Sequence, residues 1–162
     1  MCIRDSDQTK WCMDRLDEFK AVNKNIRAMA FFHMPPREFK EAYEKMKLGD
    51  RSVIYCHGSI GEKDGYFGIS NREGHFFEEA VKNGVIKWMF CGHDHLNTLS
   101  LIYKGIQLTY GMSIDCLGYR GIDRQHVQRG GTLITLKCDG TVDINMVPLT
   151  SVVSTRVRGK KR

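Results

Sequence analysis

The chain has 162 residues, of which 41% are hydrophobic and 27% charged, and a formal net charge of +6. That composition belongs to a globular protein with a core and excludes a disordered or fibrous one. Five of the positive charges lie between Arg156 and Arg162, so the rest of the chain carries only +1, with no aromatic-interleaved basic stripe suited to nucleic acid.

Chain order gives a helix over residues 10–23, with Cys12, Leu16 and Phe19 at helical spacing. A nearly continuous apolar strand follows over residues 27–33, the pattern of a strand covered on both faces. Pro35 and Pro36 stop it. Residues 39–48 read as a short helix, and Val53 to Cys56 as a short strand. The glycine-rich, charged stretch 57–73 is a long loop. A helix over residues 75–83 ends at Gly84, a natural left-handed cap. Val85 to Cys91 is a second central strand. Residues 99–103 and 106–110 form a hairpin around Lys104-Gly105, and residues 131–137 and 142–147 another around Asp139-Gly140.

No apolar run approaches the roughly 18 residues of a membrane-spanning helix. Asp5 and Asp7 stand where a signal peptide would be apolar. The six cysteines include no C-x-x-C pair, which disfavours a zinc knuckle and slightly favours a reduced compartment over a disulfide framework. The expectation is a soluble protein, cytoplasmic or secreted. There is no Walker loop, glycine-rich nucleotide fingerprint or serine elbow.

Chemistry concentrates where two strands end. One runs through Phe31-Phe32 into His33, and the other through Phe90-Cys91 into Gly92-His93-Asp94-His95-Leu96-Asn97. Histidines delivered by separate strand ends are how an α/β protein builds a metal site at the carboxyl edge of its sheet. Asp94 is positioned to support a ligand histidine or the loop backbone, and Asn97 to brace the turn. Gly92 offers room for close backbone approach. His57 follows a strand and precedes Gly58, as a phosphate contact or a strand cap. His75 begins a helix. His126, Arg120 and Arg129 are lesser candidates on a loop, and Tyr110, Gly111 and Tyr119 are candidates for a pocket wall.

The ordered set Phe32-His33-Met34-Pro35, Glu62, Asn71, Phe76-Phe77, Gly92 to Asn97, Leu108 to Gly111 and Gly118-Tyr119 resembles the second half of the calcineurin-like metallophosphoesterases, in their purple-acid-phosphatase-like branch. The resemblance spans roughly residues 9–147 and is specific for family, not substrate. It implies an α/β fold, part of a four-layer α/β/β/α sandwich. It further implies two divalent or trivalent metal ions (Fe, Mn or Zn), about 3.5–4 Å apart. His33 and His93 would bind one ion and His95 the other. Glu62, Asn71 and Tyr119 would lie near a small phosphoester substrate; His57, by its own place after a strand rather than by the resemblance, is the candidate for a catalytic contact to phosphate. No nucleic-acid or membrane partner is implied.

The family's opening motifs, D-x-H, G-D-x-x-D and G-N-H-D/E, are absent from these 162 residues. The bridging carboxylate would therefore come from outside the chain. Residues 1–6, Met-Cys-Ile-Arg-Asp-Ser, resemble a translated sequencing adapter. The expected division is residues 1–6 as non-native, 7–150 as the second half of a catalytic domain and 151–162 as a basic tail. On that reading the 162 residues alone have negligible phosphatase activity. Two alternatives stand beside it: a non-catalytic metal- or partner-binding domain, and a half-enzyme completed by another subunit.

Overall fold

A computed structural model describes residues 6–69, 74–119, 122 and 129–149. Two compact units divide it, Met1–Gly111 and Met112–Arg162.

The first unit is an α/β structure built on a five-stranded mixed sheet. Its elements are α1 (Ser6–Val22), β1 (Ala28–Phe31), α2 (Arg37–Lys47), β2 (Val53–His57), α3 (Phe76–Asn83), β3 (Ile86–Cys91), β4 (Ser100–Tyr103) and β5 (Ile106–Tyr110). Spatial order is β1-β3-β5-β4-β2. β1, β3 and β5 are mutually parallel, whereas β4 is antiparallel to both β5 and β2. Four strands therefore point the same way, and β1, β2, β3 and β5 all end on one edge. The residues that follow those strands, including His33 and His93, emerge there.

Alternation decides which face is buried against helices. Tyr103, Leu101, Leu108 and Tyr110 share one face through the β4–β5 register. Phe39 of α2 stacks on Tyr110 at 4.7 Å between ring centroids, and Phe77 of α3 stacks on Tyr103 at 6.0 Å. α2 and α3 thus cover that face, with Ala42 and Ala80 letting the helices approach closely; both are fully buried. α1 packs against α3. Leu16 faces the core, but Phe19 is 57% exposed, so the stripe expected on this helix is narrower than its spacing suggests.

Local chemistry ends the elements where the sequence indicates. Gly84 takes φ 76° and its N–H donates to Ala80 O at 3.0 Å. Lys104 and Gly105 take φ 48° and 78°, the paired left-handed conformation of a tight hairpin turn. β1 is shorter than expected, although the Phe32 N–H still donates to Phe90 O at 3.0 Å.

The second unit holds the hairpin β6 (Gly130–Leu136) and β7 (Val142–Pro148), fully antiparallel and turned at Asp139-Gly140. Arg129, 8% exposed, donates from Nε to Asp115 O at 2.6 Å and from Nη2 to Ile122 O at 3.1 Å. Its guanidinium is engaged with backbone carbonyls.

Candidate metal centre at the carboxyl edge of the sheet

His33 follows β1 and His93 follows β3, and parallel pairing of those strands sets them side by side. The Gly92 N–H donates to His33 O at 3.0 Å, tying the two strand exits together. Nε2 of His33 then lies 3.2 Å from Nδ1 of His93, with the rings nearly perpendicular at 86°. Two imidazole nitrogens each about 2.0–2.1 Å from a shared tetrahedral or octahedral ion would lie roughly 2.9–3.4 Å apart. The observed separation fits two neighbouring ligands of one ion. It also fits a hydrogen bond between one protonated and one bare nitrogen. His95 lies two residues further along the same turn, half-buried. Among the described residues no group of three or more histidine, cysteine, aspartate or glutamate side chains is arranged to hold a metal ion.

His93 is held in an unusual backbone conformation, φ 71°, which costs a non-glycine residue about 1–2 kcal/mol. Its neighbour Asp94, 5% exposed, fixes that turn. The Asp94 carboxylate accepts the Gly68 N–H at 2.9 and 3.1 Å and the Tyr110 hydroxyl at 2.5 Å. Burial above all, and then the neighbouring Cys91 and Asp94, pushes the Tyr110 phenol far above its ordinary range, so it stays a donor. Tyr110, expected at a pocket wall, is fully buried.

Gly68 has a second role. A Cβ placed there would come within 2.1 Å of Cδ2 and 2.6 Å of Nε2 of His93. The bare backbone of Gly68 is therefore one wall of the His93 ring. Gly92 carries no such constraint, since the nearest atom to a Cβ there is His33 O at 3.9 Å.

Asn97 is fully buried and ties loop to turn. Its Oδ1 accepts the Gly61 and Glu62 N–H groups at 3.0 and 3.1 Å, and its Nδ2 donates to Tyr66 O at 3.2 Å. Glu62 answers from the other side, its Oε1 accepting the Leu96 N–H at 3.0 Å. Gly58 lets the two segments touch: a Cβ there would sit 1.9 Å from Thr98 O. Loop 58–68 and turn 92–98 are thus one hydrogen-bonded assembly. Sequence reading named Asn97 and Glu62, placed Tyr110 at a pocket wall rather than behind Asp94, and missed Gly68. The run of glycines at 58, 61, 65 and 68 was the available signal, since glycines in an ordered loop often mark close backbone approach.

His57 ends β2, opposite Ser100, on the same edge of the sheet. Both ring nitrogens are enclosed without a hydrogen-bond partner among the described residues. Burial lowers its pKa and keeps it neutral. His75 stands at the N-terminus of α3 and is exposed. Tyr119 is 43% exposed and belongs to the second unit. Asn71, Arg120, His126 and the basic tail lie outside the described residues. So do residues 1–5 of the expected non-native segment.

The chain is 27% identical over 133 residues to a protein of Arabidopsis thaliana named "Probable inactive purple acid phosphatase 28"; the match covers 80% of this chain and 30% of that protein. The chain thus spans about 30% of the length of the curated relative it matches. No family model matches the chain, and no solved structure does. The likeness is distant and suggests a phosphatase-like family at most; it carries no specific activity. No helix among the described residues is long and apolar enough to cross a membrane.

Proposed function

We propose that the first unit carries the histidine side of a dinuclear metal centre used in phosphoester hydrolysis. The observation that carries this reading is the approach of His33 Nε2 to His93 Nδ1, 3.2 Å apart at the carboxyl edge of a parallel strand pair. The distant likeness to a purple acid phosphatase supports the family. His33 and His93 would hold one ion through those two nitrogens, and His95 would contribute to a second. When bound, such a pair of ions polarises phosphate oxygens and acidifies water. His57, neutral and with no hydrogen-bond partner among the described residues, would donate its one ring N–H to a phosphate oxygen. Asn97, Glu62 and Asp94 would hold the rims of the site rather than touch substrate, because their polar atoms are engaged with backbone and Tyr110.

The acidic ligands of such a centre have no counterpart motif in these 162 residues. Hydrolysis therefore needs carboxylates supplied from elsewhere in a longer protein or by another subunit. A second reading, a metal- or partner-binding domain without catalysis, is favoured by the name of the distant relative, a probable inactive phosphatase. Assaying the 162-residue chain on an aryl phosphate with Mn, Zn or Fe tests whether hydrolysis needs ligands from outside the chain. Negligible turnover with retained metal binding is expected; robust metal-dependent turnover by this chain alone contradicts the need for outside ligands.

A further inference from the structure

We infer that Tyr110 is a positioning residue for the metal centre, acting through Asp94 to aim the His93 ring at His33. This inference rests on the reading of His33 and His93 as ligands of one ion. Three contacts carry it. The buried Tyr110 hydroxyl donates to Asp94 Oδ2 at 2.5 Å, a short bond of the strong, charge-assisted kind. The same carboxylate accepts the Gly68 N–H, and the Gly68 backbone in turn walls the His93 ring. His93 has a left-handed backbone that its own side chain does not favour, so something outside the residue must hold it.

Tyr110 is suited to this task because it is itself fully buried and packed on all sides of its ring. It sits at the end of β5, paired with Cys91 at the end of β3. Its ring is stacked on Phe39 and leans on Phe67, the residue immediately before Gly68. One side chain therefore fixes both the strand exit that leads to His93 and the loop that bounds it. The device is a bolt between the helix-covered core and the candidate ligand, and it touches neither substrate nor metal.

The test is a calorimetric titration of the full 162-residue chain with Zn²⁺, with histidine ring resonances followed by NMR and thermal unfolding measured without metal. The wild type should bind, and His33→Ala should abolish the response. Tyr110→Phe should weaken Zn²⁺ binding by roughly tenfold, the lower range for losing a group that orients a ligand, and should shift the His93 ring resonances without metal. Tyr103→Phe serves as the control. It removes another buried tyrosine hydroxyl from the same sheet, one that donates to Glu41 at 2.7 Å. It should lower thermal stability yet leave Zn²⁺ affinity unchanged. Should Tyr110→Phe fail to fold, Asp94→Asn carries the same expectation, since it preserves side-chain shape. Equal affinity in wild type and the folded variant overturns the positioning role while leaving the ligand reading intact. A wild type whose Zn²⁺ response survives His33→Ala overturns the ligand reading and the positioning role together.

Discussion

Nε2 of His33 and Nδ1 of His93 face one another at 3.2 Å although 60 residues separate them in the chain. Nothing local brings them together. β1 and β3 pair in parallel, and the strand exits are locked by the bond from Gly92 to His33 O. The pair is thus a property of the sheet.

That dependence predicts the behaviour of core variants. Phe77 is 1% exposed and stacks on Tyr103. Phe77→Ala should cost about 3–5 kcal/mol of stability, read by urea unfolding, and should release the first unit from cooperative folding before any ligand is touched. A loss under 1 kcal/mol would mean that α3 does not cover the sheet as described.

Asn97→Ala removes three hydrogen bonds between turn and loop. Leaving the half-buried Gly61 and Glu62 N–H groups without that acceptor should cost about 1–2 kcal/mol. Amide exchange should accelerate across residues 58–68 while β3 and β5 stay protected. Unchanged exchange in the loop would contradict the brace.

Stability should fall in acid in two stages. His57 has a pKa lowered by burial, so the unfolded chain takes up its proton near pH 6.5 whereas the folded one does so only at lower pH. Its contribution is complete above about pH 6.5 and is lost as pH falls through the folded value. Asp50 and Asp139 are lowered chiefly by hydrogen bonds from Ser52 and Thr141. Their contributions are present above the ordinary carboxylate range and are lost below it. His57→Gln should remove the first stage only. A single acid transition unaltered by that substitution would contradict the account.

Much of this was readable from the sequence. Apolar strands stopped by Pro35 and by Gly92, the cap at Gly84 and the hairpin turn at Lys104-Gly105 are local signals, and the structure follows them. The α/β class followed from the alternation of elements. The pairing of His33 with His93 needed strand order, which no window of sequence contains. The roles of Gly68 and Tyr110 were hidden for the same reason. Gly68 is bare because of a ring 25 residues away, and Tyr110 read as a pocket residue because its buried acceptor lies on another strand's exit. Phe19 failed as a core residue because spacing along a helix does not say how wide a stripe its neighbour covers.

The most direct test of the central claim is long-range ¹H–¹⁵N NMR of the histidine rings during Zn²⁺ addition. The account predicts that Nε2 of His33 and Nδ1 of His93 shift together, each as the metal-bearing nitrogen, with the opposite nitrogen of each ring protonated. Zn²⁺ that binds without moving either nitrogen, or that engages Nε2 of His93 against Gly68, would contradict it.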